Sequence, residues 1–232
     1  MKDAQGKAAT GRRRGLAPIP KAYIVAAIGM VALAAVFWWG YPSNQPATTG
    51  SLNQRIAATS DLAGRYAFRT GEPSPGKVAP PIHLQSTDGS SFDLRGLRGK
   101  TVLLYFQEGL TCQSCWDQNR DIARRFGEFR ALGIDTIVTI TTDPVDLLKQ
   151  KATDTGIATP VLSDPDLAVS KAYHANDYGM MGTSRDGHTF IVVGPDDRIK
   201  WRADYGGAPA YTMYVPIDAL IADLRRGLRQ VN

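Results

Sequence analysis

From residue 80 onward the hydrophobic and polar positions fall into two rhythms. Ile82–Leu84 and Ser91–Leu94 flank the turn signal Asp88-Gly89, which predicts an antiparallel hairpin. Thr101–Phe106 (TVLLYF) and Ile134–Ile140 (IDTIVTI) are nearly continuous runs of strand formers, the pattern of strands covered on both faces. Between them Ile122, Phe126, Phe129 and Leu132 recur at helical spacing, predicting a helix over Cys115–Leu132. Val145–Thr155 reads as a second helix, with Asp143 as cap and Pro144 at its first position. A short strand at Pro160–Leu162 and a short helix at Asp166–Tyr173 follow. Strands at Thr189–Val193 and Arg198–Ala203, turning at Pro195-Asp196-Asp197, lead to a closing helix over Pro216–Leu228. This order predicts an α/β fold with a mixed central sheet flanked by helices.

The N-terminal part has a different pattern. Ala22–Tyr41 (AYIVAAIGMVALAAVFWWGY) carries no charged side chain, and twenty helical residues rise roughly 30 Å, the hydrocarbon thickness of a bilayer. Tyr23 stands at one end and Trp38, Trp39 and Tyr41 at the other, as interfacial aromatics do. A transmembrane helix over residues 22–41 is therefore expected. A buried core helix of this length would show a polar face. A cleavable signal peptide would have a shorter apolar region ending in a small-x-small site, whereas two Trp and then Pro42 suit an uncleaved anchor.

Charge adds an orientation. The formal net charge is +5, but Lys2, Lys7, Arg12, Arg13, Arg14 and Lys21 precede the span, opposed there only by Asp3. The remainder is near neutral, so no nucleic-acid footprint is present. A basic tail at 1–21 is expected to stay in the cytoplasm, which would put the following domain on the extracytoplasmic side of a single-pass membrane protein. Residues 42–73 read as a linker, beginning with PSNQPATTG, and 74–230 as the globular domain. Leu52 and Ile56 allow a short helix within Ser51–Thr70.

The only cysteines, Cys112 and Cys115, lie in YFQEGLTCQSCWDQ, where a buried strand hands over to a helix. A structural staple would close too small a loop to remove much unfolded-state entropy. A metal site needs further ligands, and His83, His174 and His188 are scattered. A redox dithiol suits the position, because the first turn of a helix favours thiolate. No cofactor is required. In an oxidising compartment, keeping such a pair reduced calls for a dedicated donor. Three residues are candidate supports: Glu108 as a proton shuttle or a solvated carboxylate, Trp116 as a shield over the disulfide or simple packing, and His188 as a neighbouring imidazolium or an ordinary strand-edge histidine. Tyr205–Tyr214 (YGGAPAYTMY) is either a partner-docking loop or a turn whose aromatics cap the core.

Over residues 71–230 the chain resembles the redoxin branch of the thioredoxin superfamily, which includes AhpC/TSA peroxiredoxins and TlpA/ResA-like proteins. The resemblance rests on GKVAPPIHLQSTDGSSFDLRGLRGKTVLLYF and on TFIVVGPDDRIKW. It implies a thioredoxin-like fold and thiol chemistry at Cys112 and Cys115, with protein thiols or disulfides and a membrane or extracytoplasmic electron donor as partners. Set against the peroxiredoxin Pro-x-x-x-Thr-x-x-Cys loop, Glu108 takes the Pro position, Cys112 the Thr position and Cys115 that of the peroxide-reactive cysteine. Arg185 lies two residues earlier than that family's arginine would. A TlpA/ResA-type thiol–disulfide oxidoreductase is the better match, with peroxide reduction as the alternative. GHTFIVVGPDD is also similar to the His-Thr segment of Sco-type copper chaperones, in which His188 would join the two thiolates on Cu(I).

Overall fold

The structure, a computed structural model, describes residues 60–230. The expected basic tail and transmembrane helix lie outside the described residues. Among those described, no helix is long and apolar enough to cross a membrane.

One seven-stranded mixed sheet organises the domain. Its strands are β1 (His83–Ser86), β2 (Ser91–Asp93), β3 (Val102–Phe106), β4 (Thr136–Thr141), β5 (Val161–Ser163), β6 (Thr189–Val193) and β7 (Ile199–Asp204), in the spatial order β2-β1-β5-β4-β3-β6-β7. The hairpin β1–β2 turns at Gly89, whose φ of +86° suits a residue without Cβ. The central strands β5, β4 and β3 run parallel, and β6 and β7 pair antiparallel beyond them. The helices are α1 (Gln113–Arg124), α2 (Phe126–Ala131), α3 (Val145–Thr155), α4 (Ala168–Ala172) and α5 (Ile217–Arg229). This is a thioredoxin-like α/β architecture.

Both sheet faces are covered, which explains the unbroken apolar runs. Along β3 the side chains alternate, so Leu103 and Tyr105 face one layer while Val102, Leu104 and Phe106 face the other. The first layer is closed by Ile122 of α1, Phe129 of α2, and Ile217, Leu220, Ile221 and Leu224 of α5, which recur at helical spacing. The second is closed by Ile82, Val169, Tyr173 and Ala175.

Three differences from the expected elements have physical causes. The helix expected over Cys115–Leu132 begins at Gln113 and divides at Arg125 (φ −108°, ψ 19°), whose guanidinium pairs with Glu128 and with Asp218 of α5. Asp143 does not cap α3. Pro144 is the cap residue, with no side-chain bond, and Asp143 turns inward instead. The described part of the segment read as linker, 60–73, packs on the domain, with Leu62, Tyr66 and Phe68 against the α5 layer.

That entering segment is tied down by a buried ion pair on β7. The Arg202 and Asp204 side chains are fully buried and meet at 2.8 Å. Arg202 also donates to the carbonyls of Glu72 and Tyr173, while Asp204 accepts from Gly71 N–H and Thr189 Oγ1. Removing one partner of such a pair strands a charge in the core. Arg202→Leu is expected to lower the unfolding free energy by about 3–5 kcal/mol in urea titrations, and adding Asp204→Asn is expected to restore part of it.

Candidate functional site

The site lies at the carboxyl ends of the parallel strands β3 and β4, the edge of an α/β sheet where ligand and active sites collect. After Phe106 the chain must leave the sheet and enter α1 within six residues, 107–112. Gln107 N–H still bonds to the Ile140 carbonyl of β4, and Gly109 N–H bonds to Gln107 Oε1. Gly109 has φ +99°, and a Cβ there would come within 1.7 Å of Asp143 Oδ2 and 2.5 Å of Thr141 Oγ1. Its carbonyl then accepts from both Cys112 N–H and Trp116 Nε1–H, each at 3.1 Å.

Cys112 is the N-cap of α1, and its sulfur accepts from Cys115 N–H at 3.2 Å. Cap and third helical position share one side of the first turn, so the two sulfurs meet and are joined as a disulfide, with Cα atoms 5.3 Å apart. Cys112 is half-buried and Cys115 fully buried. An incoming sulfur therefore reaches Cys112 first. On reduction, a Cys112 thiolate would lie at the positive end of a 12-residue helix, within reach of the Cys115 N–H.

Each supporting candidate has a definite place. Trp116 is fully buried, packed with Leu148, Ile157 and Val161 and against Leu110. It underpins the loop as core. Glu108 is also buried, and its Oε1 accepts from Met180 and Met181 N–H at 2.5 and 3.2 Å, tying the 180–181 segment to the site loop.

Of the two readings of His188, the structure agrees with an uncharged packing residue rather than an imidazolium. The ring is fully buried, with Nδ1 3.0 Å from the Tyr105 hydroxyl and Nε2 3.3 Å from Gln118 Oε1. Gln118 Oε1 already accepts Val215 N–H at 2.7 Å, which fixes the amide orientation. Nε2 therefore carries the proton, and Nδ1 accepts from Tyr105, whose oxygen is 3.4 Å from the Cys115 carbonyl. Burial drives the His188 pKa down to about 3, so the imidazole is neutral. Neither nitrogen offers the open lone pair that a copper ligand needs. Among the described residues no group of three or more His, Cys, Asp or Glu side chains is arranged to hold a metal ion. The copper-chaperone donor set does not fit.

The structure also brings in Tyr105 and Gln118, which the sequence did not single out, and gives Asp143 a place other than the expected helix cap. Tyr105 of β3 and Gln118 of α1 close on the His188 ring between the sheet and the helix. Asp143, 3% exposed, accepts from Leu110 N–H at 2.8 Å and Thr141 Oγ1 at 3.1 Å and pairs with Arg185. The one available signal was its place directly after the buried strand β4. In the 205–214 loop, Tyr205 is buried and donates to Asp223, Tyr214 donates to Asp121 of α1, and Tyr211 is 45% exposed.

The neutral histidine has a pH consequence. Unfolded histidine titrates near 6.5, so between that value and about 3 the unfolded chain binds the extra proton. Its contribution to stability is complete above pH ~6.5 and is lost progressively as pH falls. From pH 6.5 to 5 this amounts to about 2 kcal/mol, measured as the difference between wild type and His188→Gln in urea unfolding. The variant is expected to have the flatter profile.

Residues 75–202 match the AhpC/TSA family. A Mycobacterium tuberculosis protein provisionally named a peroxiredoxin is 32% identical over 130 residues, 53% of this chain and 81% of that protein. The thiol–disulfide oxidoreductase ResA of Halalkalibacterium halodurans is 31% identical over 113 residues, 48% of this chain and 60% of that protein. Among solved structures, peroxidoxin BcpB from M. tuberculosis superposes with a TM-score of 0.51 at 21% identity, covering 68% of this chain and 97% of that one. AhpC from M. tuberculosis gives 0.54 at 16% identity, covering 65% and 90%. At these identities the structural likenesses speak for the fold alone. The family match extends over more than half of the chain, and it includes the disulfide loop: the protein is an oxidoreductase of the AhpC/TSA family, in the redoxin branch of the thioredoxin superfamily.

Proposed function

We propose that this protein is a thiol–disulfide oxidoreductase acting through Cys112 and Cys115, anchored by residues 22–41 with its redox domain outside the cytoplasm. The observation that carries the reading is the asymmetry of the pair: one sulfur half-exposed at a helix cap, the other sealed beneath it in the same turn. In the reducing direction, the Cys112 thiolate attacks one sulfur of a partner disulfide. The partner's S–S bond breaks, a mixed disulfide forms, and the first partner thiolate leaves and takes a proton. Cys115 then loses its proton and attacks Cys112 Sγ, releasing the second partner thiolate and leaving the internal disulfide. Two electrons pass to the partner, and a second dithiol must return them. A membrane or extracytoplasmic donor fits that requirement. The oxidising direction is the same sequence reversed.

Peroxide reduction is the second reading, supported by the M. tuberculosis relative. The Cys115 thiolate would attack the O–O bond, releasing an alcohol or water and leaving a sulfenic acid. Condensation with the Cys112 thiol would then expel water and form the disulfide. Two features weigh against this reading. Cys115 is fully buried, and Cys112 stands where a peroxiredoxin has its threonine.

Insulin-disulfide reduction by the full chain in detergent, beside rapid mixing with hydrogen peroxide, tests the proposal. Cys112→Ser is expected to reduce insulin-disulfide turnover by about two orders of magnitude or more. Cys115→Ser is expected to accumulate a mixed disulfide that resolves slowly. Retention of full turnover by Cys112→Ser overturns the assignment, and peroxide oxidation of Cys115 in that variant at a rate exceeding thiol exchange favours the second reading.

Anchoring is supported by an uncharged stretch of twenty residues preceded by six cations. The chain is expected to stay in the pellet through alkaline carbonate extraction, with its C-terminal domain digested by protease added outside intact spheroplasts. Release into the supernatant removes the anchor from the proposal.

A further inference from the structure

Asp143 has no part in the exchange steps above, yet three elements close on its carboxylate. Oδ2 accepts Leu110 N–H from the disulfide loop at 2.8 Å and Thr141 Oγ1 at the end of β4 at 3.1 Å. Oδ1 pairs with Arg185 Nη1, which also reaches the Glu108 carbonyl at 3.4 Å. Arg185 precedes β6 and its side chain is 33% exposed, whereas that of Asp143 is 4% exposed. Gly109 leaves the carboxylate room by having no side chain. Arg185 and Asp143 thus bracket residues 108–110, and the Gly109 carbonyl within that bracket holds Cys112 N–H.

We infer that Asp143 is a positioning residue that sets the reduction potential of the Cys112–Cys115 pair, by fixing the disulfide loop through Leu110 and by cancelling the charge of Arg185 behind that loop. The inference rests on the dithiol reading. Reduction creates negative charge at Cys112, so an unbalanced cation behind the loop stabilises the reduced form and an unbalanced anion destabilises it. Removing the Asp143 charge makes the pair more oxidising. Removing the Arg185 charge makes it more reducing. A residue that only braces the fold would lower stability in both variants without opposite effects on the potential.

The test equilibrates the full chain in detergent with defined ratios of reduced to oxidised glutathione, reading the dithiol fraction by alkylation mass shift. For Asp143→Asn the equilibrium constant for reduction by glutathione is expected to rise about three- to tenfold. For Arg185→Gln it is expected to fall by a similar factor, and Arg185→Lys should stay near wild type. The double variant Asp143→Asn/Arg185→Gln is expected to return toward wild type. The pH at which Cys112 becomes half-alkylated by iodoacetamide should move down in the first variant and up in the second. Shifts of the same sign, or none, overturn the inference. If Asp143→Asn does not fold, the contrast between Arg185→Gln, which lowers the constant, and Arg185→Lys, which leaves it near wild type, decides alone. A wild-type pair that never equilibrates with glutathione overturns the dithiol reading itself; a pair that equilibrates but ignores these substitutions overturns only the role of Asp143.

Discussion

Residues 107–109, which carry the chain out of β3, are buried, and their N–H and C=O groups need partners. That constraint shapes the site. Gln107 N–H takes a carbonyl of β4, Gly109 N–H takes the Gln107 side chain, and Leu110 N–H takes Asp143. The Glu108 carbonyl faces Arg185, and the Gly109 carbonyl serves Cys112 and Trp116 together. Such bonds are modest in net worth when made, but an unmet buried polar group costs about 1–3 kcal/mol. Gly109, Trp116, Asp143 and Arg185 are thus requirements of one loop rather than independent features, and the disulfide sits where that loop becomes a helix.

The strands were legible because burial on two faces leaves an unbroken apolar run, as in TVLLYF. The dithiol was legible because its spacing and its strand-to-helix junction are local. What escaped was long-range or turned on burial. Asp143 reads as a helix cap from its neighbours, but Leu110, 33 residues away, offers it a backbone donor. His188 reads as a potential cation until it is seen sealed between Tyr105 and Gln118, 83 and 70 residues distant. The division of the long helix at Arg125 depends on Asp218, 93 residues further on. No local pattern carries that information.

The floor beneath the disulfide is electrically quiet. Tyr105 is kept protonated and His188 neutral by the same burial, and the Tyr105 ring stacks on Phe190 with centroids 4.5 Å apart. Charge is placed instead at the loop, in Arg185, Asp143 and Glu108. The ionisable side chains around the loop thus lie on its outer side, and the buried layer under Cys115 carries none in charged form. Gln118 joins the floor to the 205–214 loop through Val215, so the same side chain orients the imidazole and holds down the segment that displays Tyr211.

The entering segment reaches the domain at β7, a sheet edge that Arg69 and Val78 cover with single bridges to Asp204 and Arg198. A pull on the chain ahead of Ser60 therefore loads Arg69, the buried Arg202–Asp204 pair and the aromatic side chains of Tyr66 and Phe68. The disulfide loop follows β3, two strands further into the sheet. The fastening of residues 69–78 and the disulfide loop thus sit on different strands, so a substitution that loosens the β7 rim is expected to leave the geometry of the loop unchanged.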